Sequence, residues 1–285
     1  MKIKTVDLYE YFGFERKEGS KGYLKCIIQY EPKTYNQDYA YPAMLIMPGG
    51  AYAYVSPREA DPIAIRYAAY GFQTFILDYT VGSVQKYPAQ LTEAAMAMIY
   101  IRENAAEFDI APNMAAAVGF SAGGHLCACL ATLFDEPFLK EKFGDRACLI
   151  RPDAVVLSYP VITSGPKGHK GSFDNLCGDN EELKQYLSLE KRVTSDSSPA
   201  FLWHTYEDTA VPPYNSLVYA MACEEHNVPY AVHVFEKGRH GLATGQLDTN
   251  NDWALSISAT GVDQWLKLSV DWLKDRNIKL THKSN

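Results

Sequence analysis

The sequence predicts an α/β fold in which a mostly parallel central sheet is covered by helices on both faces, with a small inserted cap. Three observations carry that expectation. Short apolar runs of strand length alternate with segments whose apolar residues recur at helical spacing, the pattern of a parallel sheet buried on both sides. At one strand-to-helix junction, Gly119-Phe120-Ser121-Ala122-Gly123 sets a single serine between glycines. The other candidate chemical residues fall just after apolar runs, at the carboxyl ends of strands where such sheets bind ligands.

Taken in order, residues 23–30 (YLKCIIQY) read as an early strand, followed by a polar, tyrosine-rich connection. Residues 43–47 form a short apolar strand that ends in Pro48-Gly49-Gly50-Ala51-Tyr52. A helical segment around 63–70 and the breaker Gly71 lead to a second strand at 72–79. Leu91, Ala94, Ala95, Met98, Ile101, Arg102 and Ala105 repeat at helical spacing, which predicts a helix from 88 to about 108. Residues 114–118 suit a buried strand, and Ala122, Leu126, Cys129, Leu130 and Leu133 form one face of the helix after it. Residues 152–160, 199–205 and 230–235 each read as strands, with a helix around 216–227 between the last two. Val262, Trp265, Leu266, Ser269, Trp272 and Leu273 mark a final amphipathic helix. Residues 163–198 are glycine-rich at first and then helical and charged from Glu181 to Arg192. They read as a cap or substrate-loop insertion within a single domain spanning 1–285.

Composition narrows the function classes. The chain has 285 residues, 47% of them hydrophobic, enough for one substantial core. A net charge of −7 without any basic run argues against nucleic acid and anionic membrane surfaces as partners. The first residues lack an apolar signal segment, and no run approaches the roughly 18 apolar residues of a membrane span. These properties lead to the expectation of a soluble cytoplasmic protein, and a homo-oligomer is compatible with them. The six cysteines are scattered without a C-x-x-C pair and read as buried thiols packing as small hydrophobes. The seven histidines show no metal-binding spacing, so neither a metal nor another cofactor is expected.

Gly119 to Gly123 fits G-x-S-x-G, a sharp strand-to-helix turn that presents its serine for nucleophilic attack. A serine hydroxyl needs a base to take its proton, and the base needs an orienting acid. In this topology the acid and then the histidine follow the serine, each after a later strand. Asp208 follows the strand ending at Thr205, and His240 follows the one ending at Phe235 in a glycine-bounded loop. Glu207 is the neighbouring alternative acid. His125, on the helix after the serine, reads as a packed, hydrogen-bonded residue, and His204 and His233, inside strands, read as core or surface residues. An acyl-transfer site also needs donors for an oxyanion. The N–H of Ala122 at the helix start and the loop after residue 47 can supply them.

At this point PGGAY, GFSAGGHL, FLWHTYEDTAVP and GRHGL together resemble the α/β-hydrolase superfamily. The similarity is to its small acetyl-esterase and lipase-like branch, near the hormone-sensitive-lipase group, and runs from about residue 43 to the end of the chain. The resemblance implies Ser121 as nucleophile, Asp208 as orienting acid and His240 as general base, with the amides of Gly50, Ala51 and Ala122 forming the oxyanion hole. Where the lipase type begins His-Gly-Gly-Gly, this chain has Pro48-Gly49-Gly50-Ala51, and backbone donors survive the alanine. The implied partner is a small-molecule ester, in particular an acetylated sugar or short acyl ester. Tyr52 and Tyr54 beside the loop are the candidates for lining the pocket, with Phe173, Asn175 and Leu176 of the insertion closing it. Two rival classes are a prolyl-peptidase-like peptidase, which needs an extra group to hold a peptide terminus, and an inactive α/β-hydrolase serving as a binding module.

Overall fold

The apolar runs become strands, and all but the last, at 230–235, have neighbours on both sides, because only pairing satisfies the backbone groups of a run whose two faces are buried. The computed structural model describes residues 1–29, 39–250 and 261–283, so the tyrosine-rich connection lies largely outside the described residues. The strands are β1 (Lys2–Asp7), β2 (Tyr23–Ile28), β3 (Tyr39–Met47), β4 (Gln73–Asp78), β5 (Ile110–Phe120), β6 (Ala154–Ser158), β7 (Ala200–Thr205), β8 (Tyr230–Phe235) and β9 (Thr281–His282). The helices are α1 (Leu8–Phe12), α2 (Asp61–Ala69), α3 (Ala89–Glu103), α4 (Ala122–Thr132), α5 (Pro137–Phe143), α6 (Lys170–Cys177), α7 (Glu181–Tyr186), α8 (Tyr214–Glu225), α9 (Leu247–Asn250) and α10 (Trp265–Asp275).

The sheet order is β1-β2-β4-β3-β5-β6-β7-β8. Every pairing from β4 to β8 is parallel. The β1 and β2 pairings are antiparallel, as is the short β9 pairing with the start of β3. Side chains alternate between two cores, as a period of two requires. Leu45 and Met47 join Met98, Leu126 and Leu130 on one face, whereas Met44 and Ile46 join Ile63, Tyr67 and Trp265 on the other. Helices α3 and α4 therefore cover one face, and α2 and α10 the other.

Register sets the functional edge. Met47 lies opposite Gly119, Phe120 opposite Ser158, and Thr205 opposite Phe235, so the loops after β3, β5, β6, β7 and β8 emerge together. The sequence missed β1 and β9, an edge strand with Ile3 exposed and a two-residue bridge, because neither carries an apolar run. It also predicted one apolar face for the helix after the serine, but every residue of α4 is buried. Among the described residues, no helix is long and apolar enough to cross a membrane. All six cysteines are free; five are buried as expected, but Cys148 is exposed, since its six-residue 3-10 turn (Gly144–Leu149) buries none of its residues.

Candidate active site

The turn from β5 into α4 explains its own composition. A Cβ on Gly119 would lie 2.1 Å from the Gly123 carbonyl oxygen, and one on Gly123 would lie 2.1 Å from that of Met47. Only glycine allows so close an approach. Between them Ser121 adopts φ 54° and ψ −117°, a conformation that costs a non-glycine residue on the order of 1–3 kcal/mol. Neighbouring segments hold it there. Ser121 N–H donates to Ser158 O at 3.0 Å, and Ser121 O accepts from His125 N (3.1 Å) and Val161 N (3.0 Å).

His240 Nε2 lies 2.8 Å from Ser121 Oγ, and His240 Nδ1 lies 2.6 Å from Asp208 Oδ2. The Asp208 side chain is fully buried, and its Oδ1 accepts from the N–H groups of Ala210 (3.1 Å) and Val211 (2.9 Å). Burial acts to raise its pKa, but the hydrogen bonds of His204 and His240 outweigh burial and hold the carboxyl well below its ordinary range. An ionised Asp208 accepts the Nδ1 proton of His240, leaving Nε2 as the acceptor of the serine proton. The neighbouring acid is engaged elsewhere: Glu207 accepts from Lys237 Nζ (2.9 Å) and Gly238 N (3.0 Å) at the surface. His204 is buried beneath the acid loop, donating Nε2–H to Val211 O at 2.7 Å.

The loop after β3 has every carbonyl anchored. Pro48 O accepts from Tyr79 Oη (2.7 Å), Gly49 O from Ser56 N (3.0 Å) and Gly50 O from Ala53 N (2.9 Å). Ala51 O accepts from Asn175 Nδ2 (2.9 Å) and Tyr52 O from Gly82 N (2.7 Å). A peptide's C=O and the following N–H point in opposite directions, so fixing the Gly49 and Gly50 carbonyls aims the N–H groups of Gly50 and Ala51. Neither N–H has an acceptor among the described residues. The conformation demands unusual φ values, +124° at Gly50, +55° at Ala51 and +58° at Tyr52. Ala122 N–H, at the first helical position of α4, has no partner within the helix. Three fixed donors are thus available beside Ser121, an arrangement able to receive a developing oxyanion.

The cleft occupies about 230 Å³ and is lined by Gly50, Ala51, Tyr54, Arg58, Ser121, His169 and His240, among others. Of the expected lining residues, exposed Tyr54 reaches it. Tyr52 does not line it, because its positive φ turns the ring into the core, where Tyr52 Oη donates to His125 Nδ1 at 2.9 Å. His125 Nε2–H in turn donates to Leu187 O at 2.9 Å, and burial lowers the His125 pKa to about 4. Leu176 is core, and Phe173 packs edge-on against His125 beside a separate cavity. Asn175 steadies Ala51 instead of closing the cleft from above.

Two further groups escaped the sequence patterns. Buried Glu59 accepts from Gly49 N (2.8 Å) and Tyr159 Oη (2.7 Å), and Tyr159 Oη accepts from Ala243 N at 2.9 Å. This chain of bonds links the loop after β3 to the segment following His240. The other is His169, from the insertion. A Pro-Arg-Glu turn and an isolated histidine carry no diagnostic spacing; their only signal is polarity beside a loop flanking the serine.

Comparison with known proteins agrees with this architecture. The BD-FAE family profile matches residues 29–222. Endo-1,4-beta-xylanase B of Butyrivibrio fibrisolvens is 36% identical over 243 residues, covering 83% of this chain and 38% of that protein. The acetylxylan esterase of Xylanibacter ruminicola is 26% identical over 233 residues, covering 79% of this chain and 45% of that protein. This chain spans half or less of the length of the curated relatives it matches. Among solved structures, the acetyl ester-xyloside bifunctional hydrolase of Caldicellulosiruptor lactoaceticus is 32% identical, with a TM-score of 0.81 over 97% of both chains. The chain therefore belongs to the BD-FAE family and carries the α/β-hydrolase fold of known ester hydrolases.

Proposed function

We propose that this chain is a serine esterase for short acyl esters, an acetyl esterase acting on acetylated sugars. The observation that supports it best is the series Ser121 Oγ–His240–Asp208 beside three aimed, unpaired amides. Ser121 Oγ attacks the ester carbonyl as His240 Nε2 takes its proton, and Asp208 stabilises the imidazolium. The amides of Gly50, Ala51 and Ala122 receive the oxyanion. Collapse expels the alcohol, protonated by His240, and leaves the acyl group on Ser121. Water, deprotonated by His240, then hydrolyses that ester and restores the serine. In this scheme residues 163–198 are a cap within one domain, steadying the oxyanion loop through Asn175.

Small acyl groups fit best, since a cleft of about 230 Å³ falls below the ~300–1,000 Å³ usual for drug-sized ligands. The sugar side draws on the relatives, one named an acetylxylan esterase and one an acetyl ester-xyloside hydrolase. The test is hydrolysis of p-nitrophenyl esters of increasing acyl length by the purified chain. Acetate should be turned over fastest, and Ser121→Ala should lower kcat by about 10⁴-fold or more while the fold, followed by circular dichroism, persists. Undiminished turnover in that variant would refute the assignment, and preference for an aminoacyl-proline anilide would favour a peptidase.

A further inference from the structure

His169 lines the cleft with Ser121 and His240, yet none of the steps above uses it. Its loop is firmly built. The fully buried Asn215 accepts the N–H groups of Ile162 (3.0 Å) and Thr163 (3.2 Å) on Oδ1, and donates from Nδ2 to Lys167 O (3.0 Å) and Pro212 O (2.9 Å). That amide thereby fastens the segment before His169 to the loop that follows Asp208. Gly168 N–H closes the turn onto Gly165 O at 2.8 Å.

The imidazole is held as well. Nδ1 accepts Ser172 N–H at 3.2 Å, capping α6, with Ser172 Oγ 2.8 Å away. The Ser172 N–H, shared with His169 O at 3.1 Å, can only donate, and with Nδ1 accepting it the neutral ring carries its proton on Nε2. Burial, reinforced by the nearby His240, lowers the His169 pKa and favours this neutral donor. Nε2 has no partner among the described residues. Of the charged groups lining the cleft, Glu59 holds Gly49 and Tyr159, and Arg58 donates from Nη1 to Thr249 O at 2.8 Å.

We propose that His169 is a specificity-determining residue whose Nε2–H recognises the alcohol portion of the substrate, donating to a hydroxyl or ring oxygen next to the scissile ester. It would favour esters of sugars over esters of alcohols that lack a neighbouring oxygen. The inference rests on the esterase assignment above. Two variants separate this role from helix capping. His169→Asn keeps a cap acceptor near the Nδ1 position but removes the Nε2–H, whereas His169→Gln places an amide N–H near the Nε2 position.

The measurement is kcat/KM for a monoacetylated methyl xyloside relative to ethyl acetate, together with the melting temperature. The expected result for His169→Asn is a fall in that ratio of about 5- to 10-fold, the size of one lost hydrogen bond, carried mainly by KM. The melting temperature should hold, and His169→Gln should recover part of the ratio. An unchanged ratio, or equal losses on both esters, would overturn the proposal. A wild-type protein that hydrolyses ethyl acetate but not the xyloside would overturn it too, leaving the esterase assignment standing. Wild type inert on both esters would overturn the assignment and this inference with it.

Discussion

Asp208 shows how much of the proposed chemistry depends on one side chain's proton inventory. Its Oδ1 accepts two backbone N–H groups and its Oδ2 faces His240 Nδ1. In Asp208→Asn the amide oxygen must stay with the two N–H donors, which turns the NH₂ group toward His240. That donor would force the ring proton onto Nε2, so the imidazole could no longer accept from Ser121. A loss of kcat of about 10⁴-fold is expected, together with a lower melting temperature because the charged acceptor facing His240 and His204 is gone, read from ester turnover beside a thermal melt. Ser121, Asp208 and His240 were readable in the sequence because chain order and position after a strand limit the choices. Tyr52 departs from its expected place in the pocket because sequence proximity to the loop says nothing about a positive φ, which sends the ring inward to His125. Glu59 and His169 had no legible pattern, since each acquires meaning only from residues distant in the sequence: Gly49 and Tyr159, 10 and 100 residues away, for Glu59 and, across the cleft, Ser121 and His240 for His169.

Among elements, the loop after β3 depends most on its neighbours. Its Ala51 and Tyr52 both sit at positive φ, a conformation costing roughly 1–2 kcal/mol per residue that must be held from outside. Asn175 of α6 provides one restraint through the Ala51 carbonyl, and Glu59 provides another through Gly49 N–H. Removing the first restraint in Asn175→Ala should lower kcat for p-nitrophenyl acetate by about 2- to 10-fold, the worth of one hydrogen bond, with a smaller effect on KM. Steady-state kinetics at saturating ester would show it, and an unaltered kcat would mean that the remaining carbonyl anchors suffice. The same dependence on context explains which elements the sequence disclosed. Buried parallel strands such as β5 and β7 announce themselves by continuous apolar runs, whereas β1 needs only one covered face and its pattern fades into the background. In α4 the apolar stripe marks a helix but only part of what is covered, because no side of it meets water.

Across the whole molecule, two buried titratable groups link folding to pH with opposite signs. Burial lowers His125 to about 4, so as pH falls below its ordinary 6.5 the unfolded chain takes up a proton that the folded chain refuses, and stability declines down to about pH 4. Glu93 behaves in reverse. It lies between α1 and the end of β4, accepting from Tyr9 Oη (2.9 Å) and Thr80 N (2.6 Å), and burial pushes it up to about 7 despite those bonds. The folded chain therefore holds a proton that the unfolded chain releases above pH 4.5. Its contribution is complete below 4.5 and disappears as pH rises through 7. The interval corresponds to on the order of 3 kcal/mol, comparable to the His125 effect, so over the shared window the two offset each other. Glu93→Gln removes one of them. A glutamine fits because its oxygen can keep the Thr80 N–H, while its NH₂ can donate to the Tyr9 or Thr80 hydroxyl, either of which can accept. Urea unfolding of parent and variant at about pH 8 and again near pH 4.5 should show the difference moving in the parent's favour by about 3 kcal/mol on acidification. A difference that stays constant would mean that Glu93 does not change charge in this range and that the acid response of the fold arises elsewhere.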